Sequence, residues 1–217
     1  MKRIGVSQRV DAVAAYSERR DGLDQAWARL LGGLGLDLVP VPNSLHDVAA
    51  WAQRQSLAGL LLSGGNDLAH LPGASNPAPE RDACERALLA WAEAAVIPVL
   101  GVCRGMQMMN CRLGGGLAPV SGHIACRHAV RSGADSGFFK DYEEVNSFHG
   151  WGIRPLDLAP SLHAQLWAED DTVEAFRHER LPWFGIMWHP ERDNGLAHAK
   201  DLALLDAIFN QSEWKNS

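Results

Sequence analysis

Short apolar runs alternate with longer amphipathic stretches along most of the chain. The apolar runs lack the polar alternation of a half-exposed strand, and such runs are typical of parallel strands covered on both faces. They predict buried strands at residues 3–9, 37–42, 57–65, 97–103 and 184–188. The stretches between them predict helices at residues 16–35, 45–55, 80–95 and 196–211. This alternation predicts an α/β fold with a single doubly wound, mostly parallel sheet flanked by helices.

The pattern weakens between residues 114 and 146, where glycines, histidines and short polar stretches predict short strands and loops. Ligands of open α/β sheets bind at the carboxyl ends of the strands. Residues 63–67, 101–107 and 189–191 each follow a predicted strand. We therefore expect these three stretches to form a site, with residues 114–146 at its rim.

Length and charge narrow the class of protein. A chain of 217 residues is long enough for one substantial core, so we expect a single domain over residues 1–217. The net charge is −6 and the charged residues are scattered, which suggests neither a nucleic-acid partner nor a membrane surface. The apolar runs are too short for a signal peptide or a membrane helix, so a cytoplasmic location is expected. A site for a small-molecule substrate stays open.

Cysteine usage points away from disulfides and metals. The four cysteines contain no C-x-x-C pair, and a disulfide framework is not expected in a reducing compartment. The spacing of cysteine and histidine along the chain does not match a structural zinc site. The sequence therefore predicts no metal. Cys84, Cys111 and Cys126 have no special setting and are interpreted as small packed residues.

One cysteine has a different setting. Gly101-Val102-Cys103-Arg104-Gly105 joins a predicted strand to a predicted helix with the G-x-nucleophile-x-G layout of a nucleophile elbow. The following helix begins at the cysteine, and its free N–H groups and positive dipole end favour a thiolate. Cys103 is therefore the candidate nucleophile.

A cysteine nucleophile needs a base, and the base needs an orienting group. His189 and Glu191 follow the predicted strand at residues 184–188 and could supply both. A tetrahedral oxyanion also needs backbone donors. The glycine pair after the strand at residues 57–65 offers the N–H of Gly65, which would act together with the N–H of Arg104.

These residues resemble the class I glutamine amidotransferase superfamily. The segment PVLGVCRGMQMMNCRLGGGLAPV is similar to its nucleophile segment, and GIMWHPE is similar to its His-x-Glu segment. The resemblance runs from residue 57 to residue 209 and is strongest to the γ-glutamyl hydrolase branch. It implies a flavodoxin-like three-layer sandwich and a γ-glutamyl amide hydrolase without a cofactor.

The resemblance also implies residue roles. Cys103 would be the nucleophile, His189 the general base and acid, Glu191 the orienting carboxylate, and Gly65 and Arg104 the oxyanion hole. The remaining implied residues contact the glutamyl group of the substrate. They are Gln107, Ser147, Phe148 and His149.

Other segments of the chain indicate the leaving group. IGVSQR, LLLSGGNDL, NSFHGWGI and VEAFRHERLPWFGIMWHPERDNGL resemble the hydrolases that release cytidine diphosphoramidate from γ-glutamyl-CDP-amidate in capsular phosphoramidate biosynthesis. Arginine suits the phosphate oxygens of such a leaving group. Arg177 and His178 are the favoured cations. The other candidate cations are Arg9, Arg19, Arg20, Arg127 and His128.

Three alternatives stay open. A γ-glutamyl-γ-aminobutyrate or polyamine-conjugate hydrolase is the nearest, although His149-Gly150 replaces the two adjacent histidines of that pattern. A glutaminase subunit that feeds ammonia to a synthetase is the second. The interpretation as a hydrolase, in contrast, requires no obligatory synthetase partner. A non-catalytic binding or redox-sensing protein is the third. The sequence leaves a homodimer open.

Overall fold

The chain folds around a nine-stranded mixed sheet. The computed structural model describes residues 1–133, 136–193 and 198–211. The strands are β1 (Lys2–Ser7), β2 (Arg9–Val13), β3 (Glu18–Gly22), β4 (Leu36–Val41), β5 (Leu57–Leu62), β6 (Val99–Val102), β7 (Ala118–Pro119), β8 (Ile124–Ser132), β9 (Glu144–Phe148), β10 (Trp151–Gly152), β11 (Leu162–Ala168), β12 (Val173–His178) and β13 (Trp183–Ile186). The helices are α1 (Ala26–Gly33), α2 (Val48–Arg54), α3 (Pro79–Ala95), α4 (Arg104–Arg112) and α5 (His198–Asp206).

The large sheet has the strand order β4-β1-β5-β6-β13-β12-β11-β8-β9. The first five strands are parallel, and the remaining four continue the sheet in antiparallel pairs. Helices cover both faces of the parallel part. One core cluster packs α2, α3 and α4 against the sheet, and a second packs α1 and α5 against it. The predicted α/β fold with a mostly parallel sheet is confirmed.

Strand β5 shows why the apolar runs lack polar residues, because its side chains pack into the cores on both faces of the sheet. Leu60 and Leu62 belong to the core cluster of α2, α3 and α4, whereas Leu61 between them belongs to the cluster of α1 and α5. All three side chains are fully buried. Successive side chains of a strand point to opposite faces, so a strand covered on both sides needs an unbroken apolar run.

The predicted helix at residues 16–35 is wrong in its first half. Strands β2 and β3 form an antiparallel hairpin there, and its turn includes Ser17 with a φ of +55°. The helix begins later because the side chain of Asp24 accepts a hydrogen bond from the N–H of Ala26 at 2.9 Å. The hairpin carries mostly exposed charged residues, so no apolar alternation marked it in the sequence.

Residues 114–146, where the hydrophobic pattern is weak, contain more regular structure than was predicted. Strand β8 is nine residues long and joins β9 and β11 in the large sheet. Its side chains are exposed or half-buried, so periodicity gave little indication of its length. Strands β7 and β10 form a separate two-stranded sheet, as expected of short strands.

The end of the chain is helical over the described residues. Helix α5 is followed by a π-helical turn at Ala207–Gln211. The first two residues of the helix predicted at 196–211 lie outside the described residues, as does the end of the motif at residues 194–196. Among the helices that the structure describes, none has the length and apolar character to span a bilayer.

Candidate active site

The turn between β6 and α4 has the geometry that the sequence predicts. Cys103 has a φ of +50° and a ψ of −106°, a conformation that a non-glycine residue rarely adopts. A Cβ on Gly105 would lie 2.1 Å from the carbonyl oxygen of Leu62, and one on Gly101 would lie 2.6 Å from Sδ of Met109. Both glycines are therefore required by close packing, and the turn places Cys103 at the first turn of α4.

His189 lies at the end of the neighbouring parallel strand, β13. Its Nδ1 is 2.7 Å from Oε1 of Glu191, and its ring interacts electrostatically with the thiol of Cys103. The side chains of His189 and Glu191 are both buried. The structure thus brings the three predicted catalytic residues into one array, because β6 and β13 are adjacent and end at the same edge of the sheet.

The array favours a thiolate and an imidazolium. Burial alone would raise the pKa of Cys103, but the charge and hydrogen bond of His189, with the backbone N–H of Arg104, outweigh it and lower the pKa. Burial likewise opposes the charged form of His189, yet Cys103 and Glu191 raise its pKa to about 9. Cys84 and Cys111 differ, since burial raises their thiol pKa values to about 12 and about 11.

Two residues that sequence reasoning missed hold His189 in place. The side chain of Asn146 donates to the carbonyl oxygen of His189 and accepts from its N–H, both at 2.9 Å. Gly64 makes room for the imidazole, because a Cβ there would lie 2.5 Å from Cε1 of His189. Asn146 precedes the three residues predicted to contact the glutamyl group, so the motif pointed to the right loop but not to this contact.

The predicted oxyanion donors lie on two neighbouring loops. Gly65 follows β5 with a φ of +83°, and Arg104 is the first residue of α4. The guanidinium of Arg81 donates to the carbonyl oxygens of Ser63 and Gly65 at 2.5 Å and to that of Gly64 at 3.1 Å. Since N–H and C=O of a trans peptide point in opposite directions, the N–H of Gly65 faces away from Arg81.

Arg81 belongs to a group that we term the arginine cluster, formed by Arg81, Asp82, Glu85 and Arg104. The Nε of Arg81 donates to Glu85 at 2.9 Å, and the guanidinium of Arg104 donates to both Glu85 and Asp82. All four side chains are buried. The charges of the two arginines outweigh burial and lower the pKa of Glu85. The cluster ties the loop after β5 to the start of α4, and no motif in the sequence indicated it.

The residues predicted to contact the glutamyl group have different surroundings. Gln107 is buried and its amide donates to the carbonyl oxygen of Trp151 at 2.8 Å. The hydroxyl of buried Ser147 donates to the carbonyl oxygen of His123 at 2.7 Å. Phe148 is partly exposed, and its ring centroid lies 5.6 Å from that of His189. The structure therefore brings Phe148 to the catalytic array and commits the hydroxyl of Ser147 to an internal contact.

The side chain of His149 lies against Glu174, and its charge also acts on Cys103. Its Nε2 lies 3.5 Å from Oε1 of Glu174, and the same carboxylate lies near His123 and His128. We term His123, His128, His149 and Glu174 the histidine cluster. Their ligand-type atoms lie within 4.8 Å of one another. Spacing along the chain gave no indication of this group, because its members come from three separate segments.

Arg177 and His178 do not reach the site, which corrects the preferred choice of cations. Strand β12 is antiparallel to β13, and Arg177 pairs with Phe184 near the start of β13. The strand thus runs away from the edge where His189 lies. Nδ1 of His178 accepts hydrogen bonds from the N–H groups of Arg180 and Leu181, both at 3.0 Å. Burial lowers the pKa of His178, which disfavours the charged form.

Other cations lie at the rim. Arg9 and Arg192 line a shallow depression together with Ser63, Gly64 and Glu191. The guanidinium carbon of Arg192 lies 4.7 Å from the centroid of the Phe148 ring. Arg9 was one of the candidate cations, whereas Arg192 lies within the distinctive motif but was not singled out.

Comparison with known proteins agrees with this geometry. Residues 4–191 match the peptidase C26 family. Over 195 residues the chain is 34% identical to γ-glutamyl-CDP-amidate hydrolase of Campylobacter jejuni, covering 89% of this chain and 92% of that protein. It is 29% identical over 187 residues to the carbamoyl phosphate synthase small chain of Symbiobacterium thermophilum, covering 82% and 47%.

A solved structure has the same fold. A glutamine amidotransferase from Thermotoga maritima matches with a TM-score of 0.64 at 16% identity, covering 100% of this chain and 86% of that one. At this identity the similarity shows the fold alone. The family match, in contrast, spans the nucleophile turn and both His189 and Glu191. The chain therefore belongs to the peptidase C26 family of hydrolases.

Proposed function

We propose that this enzyme hydrolyses γ-glutamyl-CDP-amidate to L-glutamate and cytidine diphosphoramidate. The observation that carries the proposal is the array of Cys103, His189 and Glu191, in which His189 contacts Glu191 and lowers the pKa of Cys103. It lies in a chain that is 34% identical, over most of its length, to a hydrolase of that substrate. The scissile bond is an amide of the glutamyl γ-carbonyl, which suits an acyl transfer to a thiolate.

The first half of the reaction forms a thioester. The Cys103 thiolate attacks the γ-carbonyl carbon, and the N–H groups of Gly65 and Arg104 donate to the oxyanion. The C–N bond then breaks, and His189 gives its proton to the departing nitrogen. The raised pKa of His189, about 9, supports this role because the ring holds a proton in the resting pair.

The second half releases glutamate. The neutral imidazole of His189 takes a proton from water, and the resulting hydroxide attacks the thioester carbon. The C–S bond breaks, and Cys103 leaves as a thiolate beside the imidazolium. Glu191 keeps the imidazole oriented through its contact with Nδ1. These residues complete the cycle without a cofactor.

Arg9 and Arg192 are our candidates for the anionic leaving group. Both line the depression beside Gly64 and Glu191, next to the catalytic array. Both side chains are partly exposed, so their guanidinium groups are accessible to phosphate oxygens. Arg192 is further held over the ring of Phe148, which the resemblance places at the glutamyl group.

Steady-state kinetics on three substrates test the proposal. We expect kcat/KM to be highest for γ-glutamyl-CDP-amidate, compared with γ-glutamyl-γ-aminobutyrate and glutamine. Cys103→Ala should reduce kcat by more than about 10⁴-fold, as loss of a nucleophile does in related mechanisms. Cys111→Ala, on the same helix, is the matched control and should keep full activity.

Arg192→Ala tests the leaving-group contact. We expect KM for the CDP conjugate to rise about tenfold, the size of one charge-assisted hydrogen bond. KM for γ-glutamyl-γ-aminobutyrate should not change. A preference of the wild-type enzyme for the aminobutyrate conjugate would overturn the assignment of the substrate but not of the reaction.

A glutaminase subunit is the second candidate, because the chain also resembles the carbamoyl phosphate synthase small chain. That relative is about twice as long as the matched region, since the alignment covers 47% of it. Such a subunit would show little activity alone. Turnover of a γ-glutamyl amide by the purified chain would exclude it, and we expect that turnover.

A further inference from the structure

The histidine cluster gathers metal-ligating side chains from three segments of the chain. His123 directly precedes β8 and His128 lies within it, whereas His149 follows β9 and Glu174 lies on β12. Their nitrogen and oxygen atoms lie within 4.8 Å of one another. The proposed mechanism gives these four side chains no chemical step, although the resemblance places His149 at the glutamyl group.

Among the residues that the structure describes, the facing atoms of the cluster have no hydrogen-bond partner. They are Nδ1 of His123, Nε2 of His128, Nε2 of His149 and both carboxylate oxygens of Glu174. Glu174 is fully buried, and His123 and His149 are nearly so. A buried polar atom without a partner costs about 1–3 kcal/mol, and more if it is charged. Five such atoms in one place indicate that something else satisfies them.

The outward-facing nitrogens of the same imidazoles are hydrogen-bonded. Nε2 of His123 lies 3.0 Å from Oδ2 of Asp170, and Nδ1 of His149 lies 3.0 Å from the carbonyl oxygen of Trp151. Nδ1 of His128 lies 3.2 Å from the carbonyl oxygen of Ala129. Metal-binding histidines almost always donate their second nitrogen in this way, to a carboxylate or a carbonyl. These contacts place the proton on the outer nitrogen and leave the inner lone pair free.

The distances within the cluster suit a metal better than direct ion pairs. The three imidazole nitrogens lie 3.5 to 3.8 Å from the oxygens of Glu174, which is too long for hydrogen bonds. Ligand atoms about 2.1 Å from a tetrahedral zinc ion lie about 3.4 Å from each other. The distances from the imidazole nitrogens to the two oxygens of Glu174 are thus close to this value, and all the ligand atoms lie within 4.8 Å of one another.

We propose that the histidine cluster binds one Zn²⁺ ion, with three imidazole nitrogens and one oxygen of Glu174 as ligands. Three imidazoles and a carboxylate in a four-coordinate arrangement are a set that zinc accepts. The expectation of no metal was based on the spacing of cysteine and histidine along the chain. The ligands of this site come together only when the sheet forms.

The ion has a structural consequence. His149 is next to Phe148, whose ring contacts His189, and the N–H of His149 and the hydroxyl of Ser147 both donate to the carbonyl oxygen of His123. A zinc ion would therefore fix the loop after β9 to β8 and β12. Zinc acts here as a structural ion that positions this loop, and the chemistry of Cys103 does not depend on it.

Metal content and affinity of the purified full-length chain test the proposal. After expression with added zinc and gel filtration, mass spectrometry of the elements should find about one zinc per chain. After removal by a chelator, titration with Zn²⁺ against a chromophoric chelator gives the affinity. Glu174→Gln should weaken binding by more than about 100-fold, since it removes a ligand beyond the 10–100-fold typical of an outer contact.

Two further variants test whether a loss of zinc binding comes from misfolding and whether another side chain binds the ion. Asp170→Asn changes only the partly exposed outer partner of His123, and it should weaken Zn²⁺ binding about tenfold with the fold intact. Cys103→Ala removes a thiolate that could bind zinc instead, and it should keep one zinc per chain. His163→Ala is the matched control, because His163 is exposed and lies outside the cluster.

Each outcome decides the proposal. One zinc per chain that weakens in Glu174→Gln and Asp170→Asn, but not in His163→Ala or Cys103→Ala, supports it. Absence of zinc from the wild-type chain, or equal affinity in wild type and Asp170→Asn, overturns it. None of these measurements uses turnover, so they stand or fall separately from the proposed hydrolysis.

Discussion

The arginine cluster and the histidine cluster are both buried beside loops of the active site, yet they balance their charges differently. In the arginine cluster two guanidinium groups face two carboxylates, and that of Arg81 also donates to the loop after β5. In the histidine cluster three imidazoles surround one carboxylate whose oxygens accept no hydrogen bond from the described part of the chain. The first cluster neutralises itself, whereas the second has the composition of a site that needs a cation.

The difference shows how a chain can make a loop rigid by two routes. A set of paired charges is complete once the chain has folded, because each partner is supplied by the protein. A set of metal ligands is complete only with the ion, so its stability depends on the concentration of that ion. The loop after β5 follows the first route, and we infer that the loop after β9 follows the second.

The largest expected effect is the loss of unfolding free energy when one charge of the arginine cluster is removed. Glu85→Gln leaves Arg81 and Arg104 with a reduced negative partner in a buried place, and removing one partner of such a pair costs about 3–5 kcal/mol. Glu93→Gln is the matched control, because Glu93 pairs with Arg112 at the surface and such pairs contribute about 0–1 kcal/mol. Urea unfolding at neutral pH measures both free energies. Equal losses in the two variants would contradict the comparison.

Lowering the pH provides a second control on the same variant. The folded pKa of Glu85 lies below its ordinary value, so its stabilising contribution is present above the unfolded pKa. That contribution is lost as the pH falls through the folded pKa. The difference in unfolding free energy between wild type and Glu85→Gln should therefore shrink in acid, where Glu85 itself becomes neutral.

A second prediction concerns the thiol that both clusters adjoin. His189 lowers the pKa of Cys103, whereas burial raises that of Cys111 to about 11. At a pH below both pKa values, a thiol whose pKa is two units lower has about a hundredfold larger thiolate fraction. We expect iodoacetamide at neutral pH to label Cys103 at least about a hundredfold faster than Cys111, as measured by mass spectrometry of the peptides.

The pH profile of that labelling identifies the group responsible. In the wild type, Cys103 should keep reacting as the pH falls below the ordinary thiol pKa. His189→Asn should move the profile to higher pH, because the imidazolium is lost. If Ser147→Ala moved the profile as far as His189→Asn, the loop after β9 rather than His189 would control the thiolate.

The smallest expected effect concerns that loop. Ser147→Ala removes a buried hydrogen bond to the carbonyl oxygen of His123, which keeps its bond from the N–H of His149. We expect a loss of about 1 kcal/mol in unfolding free energy. Ser132→Ala, which removes an exposed contact to Lys140, should cost less. Urea unfolding with zinc and with a chelator measures both variants.

A dependence of the Ser147→Ala loss on zinc would sharpen the comparison further. With zinc bound, the ion holds His123 and His149 together, so the lost hydroxyl matters less. With the chelator, the loop relies on its hydrogen bonds alone, and the loss should be larger. The loss from Glu85→Gln should be the same in both solutions.

Local sequence determined the parts of this protein that depend on neighbours along the chain. The unbroken apolar runs predicted the strands of the parallel half, because strands covered on both faces need them. Gly101 and Gly105 predicted the turn at Cys103, because only glycine fits where a Cβ would overlap Leu62 or Met109. His189 and Glu191 were found for the same reason, since both lie in one short turn after a strand.

Tertiary structure alone decided the parts that combine distant segments. The antiparallel course of β12 carries Arg177 and His178 away from the site and brings Glu174 to three histidines. Asn146, on β9, reaches His189 only because the fold brings β9 to the turn after β13. Charge and hydrogen-bonding capacity can be read from a sequence, but which groups satisfy each other depends on strand order and register. The sequence therefore determined the candidate nucleophile and base, Cys103 and His189, and the sheet decided which cations and ligands surround them.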